Sequence, residues 1–166
     1  MIRGRMSKSK DVRIESVDPR RPEVRQLIEE LDAYMHGLYP TESIHKVDVE
    51  SLAQPKVRFF AGLMEGEPAG CAAIMLRADG PASYAEVKRV YVAPRARGLG
   101  MGKLLLRQLE AETRRLGLAL MRLETGVHQP EALALFAAAG FKNCGPFGGY
   151  PTGDPLSVFM EKRLAD

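Results

Sequence analysis

Between Val87 and Lys103 the chain reads Val-Lys-Arg-Val-Tyr-Val-Ala-Pro-Arg-Ala-Arg-Gly-Leu-Gly-Met-Gly-Lys. Strand formers give way to a proline, a basic turn, and glycines at 98, 100 and 102 that open a helix. Without side chains at alternate positions, the backbone amides can approach phosphate oxygens closely, and the helix start adds partial positive charge. Arg95, Arg97 and Lys103 supply mobile counter-charge. The segment is a diphosphate site by its physics; the plain alternative is a glycine-rich helix cap with solvated arginines. Two familiar loops do not fit. A Walker loop needs glycine at 97 and Ser or Thr at 104, where Arg97 and Leu104 stand. A dinucleotide fingerprint begun at Gly98 wants its third glycine at 103, which is Lys103.

Around this segment the chain alternates strand and helix patterns. Val12 to Val17 predicts a first strand. After Pro22, the residues Val24, Leu27, Ile28, Leu31, Tyr34 and Met35 recur at helical spacing up to Gly37. Leu38 to Gln54 reads as a long connection with one short helix at Val47 to Leu52. Lys56 to Glu65 and Ala69 to Arg77 form an antiparallel pair across a Glu65-Gly66-Glu67-Pro68 break. Asp79-Gly80-Pro81 interrupts the chain before a strand from Tyr84 to Val92. A helix from Leu99 to Leu116 is capped by Gly117, and Leu118 to Glu124 is a buried strand. Pro130 opens a helix to Ala139, and Phe141 to Cys144 begins a strand that resumes at Leu156 to Lys162. Gly145 to Pro155 is a glycine- and proline-rich loop of the kind that carries function. This order predicts an α/β domain built on a mixed sheet.

Length and charge set the outer limits. A chain of 166 residues suits one folded domain, here residues 11–166. No apolar run approaches the ~20 residues that span a bilayer, and none follows the basic start as a secretory signal would, so a cytoplasmic protein without membrane partners is expected. Five basic residues and one acidic residue lie in Met1 to Arg13, leaving 19 basic and 20 acidic for the rest. The basic character therefore sits in a short arm, residues 1–10, read as a flexible chain end rather than a nucleic-acid site.

The strand, the Arg95-Ala96-Arg97-Gly98-Leu99-Gly100 turn and its helix resemble the acetyl-CoA motif of the GNAT superfamily of N-acetyltransferases, Arg/Gln-x-x-Gly-x-Gly/Ala. Gln129 to Phe141 resembles that family's second signature, and the element order is that of its fold. Members with a segment like Leu38-Tyr39-Pro40-Thr41-Glu42-Ser43 and an ending like Ser157-Val158-Phe159-Met160-Glu161-Lys162 are the nearest in pattern. The resemblance implies a mixed, mostly antiparallel sheet of six to seven strands with about four helices. It also implies acetyl transfer from acetyl-CoA to a primary amine of a small molecule or peptide, by direct attack in a ternary complex. Carried over position by position, the diphosphate falls to Arg95, Arg97, Gly98, Leu99, Gly100, Met101, Gly102 and Lys103. The backbone of Val90, Tyr91 and Val92 falls to the thioester end, where its N–H groups oppose the developing oxyanion. Glu86 takes the place of a glutamate general base. Gln129 stands at the signature's Asn, and Phe136 where many members carry a proton-donating tyrosine. Phe136 cannot donate, so Tyr150, water, or no acid at all, because the thiolate leaves readily, are the alternatives; the same departure motivates a rival reading, a non-catalytic acyl-CoA-binding sensor.

Acceptor residues are expected on the long connection and the late loop: Tyr39, Glu42, Ser43, His45 and Phe147. Six acidic residues between Glu29 and Glu50 (Glu29, Glu30, Asp32, Glu42, Asp48 and Glu50) suggest a cationic acceptor. His36, His45 and His128 share no metal-ligand spacing, so no metal is expected; His45 and His128 remain alternative bases. Cys71 and Cys144 read as packing residues. Terminal strands that pair across subunits would give a homodimer.

Overall fold

In a computed structural model describing residues 11–78 and 82–165, the strand and helix patterns become one seven-stranded sheet covered on both faces. The elements are β1 (Val12–Ser16), α1 (Pro22–Leu38), α2 (Val49–Leu52), β2 (Val57–Met64), β3 (Glu67–Arg77) and β4 (Tyr84–Val92), followed by α3 (Met101–Arg115), β5 (Leu120–Gly126), α4 (Pro130–Ala138), β6 (Lys142–Asn143) and β7 (Ser157–Arg163). Single 3-10 turns lie at Thr41–Ser43 and Pro94–Ala96. The strand order is β1-β2-β3-β4-β5-β7-β6. Only β4 and β5 run parallel; every other neighbouring pair is antiparallel. This is the mixed sheet with four helices that the sequence predicts. The basic arm and the Asp79-Gly80-Pro81 break lie outside the described residues.

Each face is closed by a helical stripe. On one side, Val24, Leu27, Ile28 and Leu31 of α1 pack on Phe59, Cys71, Ala73, Met75 and Tyr91. On the other, Met101, Leu105, Leu106 and Leu109 of α3 and Phe136 of α4 cover Phe60, Ala72, Ile74, Ala85 and Val87. Burial on this scale is worth about 1.5–3 kcal/mol per large apolar side chain. A third cluster of Tyr84, Leu120, Phe147 and Phe159 lies under the glycine- and proline-rich loop.

Element ends differ from the sequence expectation for local reasons. Glu65 (φ 52°) and Gly66 (φ 84°) make a two-residue turn, so β3 begins at Glu67, two residues earlier than expected. Gly100 is left-handed (φ 79°), which delays α3 from Leu99 to Met101. The N-terminus of α3 is also fixed by packing: an added Cβ on Gly62 or Gly70 would lie 2.6 Å from the Met101 sulfur. Only bare backbone there lets the buried Met101 seat the helix on β2 and β3.

Two irregularities position the site. Cys71 faces Tyr91 and Ala73 faces Lys88, so β4 carries an extra residue at Arg89–Val90, a bulge in which Arg89 is left-handed (φ 58°). The parallel register between β4 and β5 holds only at Ala85–Met121 and Glu86–Arg122. Beyond those pairs the two strands part.

Gly70→Ala is expected to destabilise the protein by about 1–3 kcal/mol, because its Cβ also meets the Tyr91 carbonyl oxygen at 2.9 Å. Gly37→Ala, in α1 with nothing within 4 Å, should stabilise it by up to about 1 kcal/mol. Urea denaturation of the two variants checks this pair.

Candidate active site

The glycine loop forms the first half of the site. Gly98 (φ 80°) and Gly100 (φ 79°) turn the chain from the end of β4 into α3, and an added Cβ on either would meet nothing within 4 Å. The face of the loop is therefore open to a ligand. Helix α3 makes its first backbone bond from Leu104 N–H to Gly100 C=O (3.1 Å), so the amides of Met101, Gly102 and Lys103 point outward at its start. Gly102 lies close to Leu135, a Cβ there falling 3.0 Å from it. Leu99 is 38% exposed and Lys103 is exposed. The two arginines are tethered: Arg97 Nε donates to Val92 O (3.3 Å), and Arg95 donates to Glu30 (3.3 Å) and Pro68 O (3.1 Å). Open amides, a helix start and two nearby guanidinium groups fit a diphosphate.

The second half is the gap where β4 and β5 separate. It becomes a cavity walled by Val87, Lys88, Arg89 and Val90 of β4, Leu123 to Gly126 of β5, Gln129, Ala132 and Phe136 at α4, and Tyr39 and Ser43 to Val47 of the long connection. The Tyr39 hydroxyl accepts from His128 N–H (3.0 Å) and donates to Gln129 Oε1 (3.2 Å). Its ring lies directly over Gly126, where a Cβ would come within 1.9 Å of the hydroxyl. Phe136 is buried in the wall and meets Phe141 edge-on.

Glu124 is the carboxyl in this wall. Desolvation pushes its pKa up to about 7, against the hydrogen bond from Ser157 Oγ (3.0 Å) and the charge of Lys88, while Asp154 and Glu86 add to the rise. Sequence reading missed it. Its signal was its place at the open end of a strand expected to be buried.

Glu86 is 1% exposed and lines, with Tyr150, an adjoining pocket that shares His45, Lys46, Val47 and Lys88 with this cavity. Its Oε1 accepts from Arg77 Nε (2.9 Å), and its Oε2 from the Lys88 ammonium (3.1 Å) and the Tyr150 hydroxyl. The Tyr150 proton is thereby committed to a carboxylate, and burial together with the Glu86 charge pushes the phenol's pKa upward. Tyr150 stands outside the cavity, its ring 4.8 Å from the Lys88 nitrogen. Of the expected acceptor residues, Tyr39, Ser43 and His45 reach the wall. Glu42 is exposed on the Thr41–Ser43 turn, and Phe147 is buried among Tyr84, Tyr150 and Phe159. Val90 faces the cavity, whereas the Tyr91 side chain packs toward α1, beside Tyr34. Burial pushes the Cys71 thiol up to about 12, as befits a packing residue. Among the described residues, no three His, Cys, Asp or Glu side chains gather as metal ligands do, and no helix is long and apolar enough to cross a membrane.

An amide-lined loop beside a split parallel strand pair is the arrangement to compare with known proteins, and that comparison places the chain in a family of acetyltransferases. Residues 24–141 match the acetyltransferase (GNAT) family. An IAA acetyltransferase of Azospirillum brasilense is 47% identical over 154 residues, covering 93% of this chain and 99% of its own. The crystal structure of a provisionally named acyl-CoA N-acyltransferase from Klebsiella pneumoniae has 37% identity and a TM-score of 0.76, covering 93% of this chain and 98% of its own. The PaiA N-acetyltransferase from Thermoplasma acidophilum, solved in complex with coenzyme A, shares the fold (TM-score 0.67) at 19% identity, covering 93% of this chain and 99% of its own. The chain belongs to the GNAT acetyltransferase family.

A carboxyl held neutral by burial favours the folded state below the ordinary Glu pKa, and that contribution is lost as pH rises through 7. Glu124→Gln should therefore raise stability at pH 8 by about 1–3 kcal/mol and leave it unchanged at pH 4. Thermal melts at the two pH values check the sign.

Proposed function

We propose that the protein transfers the acetyl group of acetyl-CoA directly to a primary amine, with Glu124 as the general base. The observation that carries this reading is a carboxyl poised near neutrality in the gap between β4 and β5, beside the amide-lined loop. The loop from Arg97 to Lys103 binds the diphosphate, with Arg95 and Arg97 adding charge. The coenzyme's arm then runs into the gap along Val90 to Val92, with Gln129 and Phe136 opposite, so that the thioester lies near the bulge. A relative named as an acetyltransferase and a fold neighbour solved with coenzyme A support acetyl-CoA as the ligand.

The acceptor enters as an ammonium ion with a pKa near ~10. It gives one proton to Glu124, and the neutral nitrogen attacks the thioester carbonyl. Backbone N–H groups at Val90 to Val92 oppose the charge on the oxygen. The C–S bond breaks as the N–C bond forms, coenzyme A departs as thiolate, and the second proton shed by nitrogen restores the thiol. In this reading Glu86 is a positioning residue that fixes Lys88 and Tyr150.

Coenzyme A release across a panel of primary amines tests the reading. kcat/KM should rise with pH through an apparent pKa near 7. Glu124→Gln should lower it by about 10²–10⁴-fold and abolish that limb, whereas Glu86→Gln keeps it. A limb that survives in Glu124→Gln moves the base elsewhere. Binding of acetyl-CoA without coenzyme A release from any amine makes the protein a sensor instead.

A further inference from the structure

Among the described residues, two buried side-chain atoms have no hydrogen-bond partner, Arg89 Nε and His45 Nε2. Both residues line the cavity between β4 and β5. Folded proteins leave few polar atoms bare, because each loses its hydration without recompense. Two of them in one cavity mark where a ligand's polar group belongs.

The Arg89 side chain is only 5% exposed. Its Nη1 donates to Asp32 Oδ1 (2.7 Å), which anchors one edge of the guanidinium and leaves the Nε edge unused. The residue sits at the bulge in left-handed backbone (φ 58°), a conformation that a residue bearing a Cβ adopts only against a cost. Placing a buried, strained, half-used guanidinium at the reacting centre is explained by an anion that completes it. Lys46 and Lys88 also line the cavity, and Glu124 is the only acidic residue among its lining. The cations have carboxylate partners outside this lining: Asp32 holds Arg89 and Lys46 (3.7 Å), and Glu86, in the adjoining pocket, holds Lys88. None of the six acidic residues between Glu29 and Glu50 lines the cavity. The acidic run that suggested a cationic acceptor therefore does not form this wall.

We infer that the acetyl acceptor is an amino carboxylate, its carboxylate bound by Arg89 and His45 and its amine directed at Glu124. This rests on the transfer reading above and names its substrate class. A planar carboxylate matches a guanidinium edge and accepts several N–H bonds at once, which a neutral carbonyl does not do as well. A zwitterionic acceptor also suits the wall's charge arrangement, cationic side chains at the bulge and a carboxyl on the facing strand.

The test compares free amino acids with their carboxamides and with the matching decarboxylated amines, using coenzyme A release as the readout. At least one free amino acid should be acetylated, with kcat/KM falling about 100-fold or more when the carboxylate is amidated or removed. Arg89→Gln should raise KM for the acid far more than it lowers kcat and bring acid and amide within a few-fold of each other. Arg89→Lys keeps charge but no Nε donor and should retain a reduced preference, which guards against a folding defect in the first variant. Equal use of acid and amide, or a preference that survives Arg89→Gln, overturns the inference while leaving acetyl transfer standing. If no amine of either kind releases coenzyme A, transfer itself fails, and calorimetry with N-acetylglycine on the coenzyme A-loaded protein decides the carboxylate site. Binding that is lost in Arg89→Gln upholds the site, and no binding to the unaltered protein overturns it.

Discussion

The arrangement of the site depends on the early end of the β4–β5 pairing. Parallel strands held together along their length would close the sheet and leave no room for a thioester or an acceptor. Here the register covers two residue pairs, and the bulge at Arg89–Val90 turns the remainder of β4 away. The bulge is held from both sides. Cys71 Sγ contacts the Arg89 carbonyl oxygen (3.1 Å), and Asp32 of α1 holds the Arg89 guanidinium. A strained backbone position, a helix on one face and the opening between strands are thus one mechanical unit. Met101, seated against Gly62 and Gly70, fixes the other end of β4 by anchoring the helix that follows its loop.

Charge placement follows from this geometry. Glu86, before the strands part, is enclosed by Arg77, Lys88 and Tyr150 and acts as the counter-charge of a buried network. Glu124, on the partner strand beyond the split, keeps a single hydroxyl donor, Ser157, and loses much of its water. Two glutamates on neighbouring strands therefore take different roles. The enclosed one is paired with cations, and the desolvated one has its pKa raised to about 7 by burial, which is why the proposed base is Glu124.

Much of the fold was legible in the sequence because local chemistry and packing agree there. The 3.6-residue stripe of α1, the strand formers from Tyr84 to Val92 and the alternating glycines each specify their element and survive in the structure. What escaped depends on positions set by other parts of the chain. Nothing local says that Arg89 is left-handed or that a partner strand diverges beside it, so the charged residues of that stretch read as ordinary strand polarity. The family resemblance placed Glu86 at a general-base position, and its pairing with Arg77 and Tyr150, 9 and 64 positions away, is not visible in the local sequence. Phe147 looked like a binding-loop aromatic for the same reason, its core role resting on Tyr84 and Phe159.

The central claim is that one ligand spans the glycine loop and the split between β4 and β5. Hydrogen–deuterium exchange with and without acetyl-CoA tests it most directly. The account predicts that amides 98–103 and those of β4 beyond Glu86 slow together on addition of acetyl-CoA, with β1 and β2 unchanged. Protection that misses the loop, or that reaches the loop without the bulged half of β4, would contradict it.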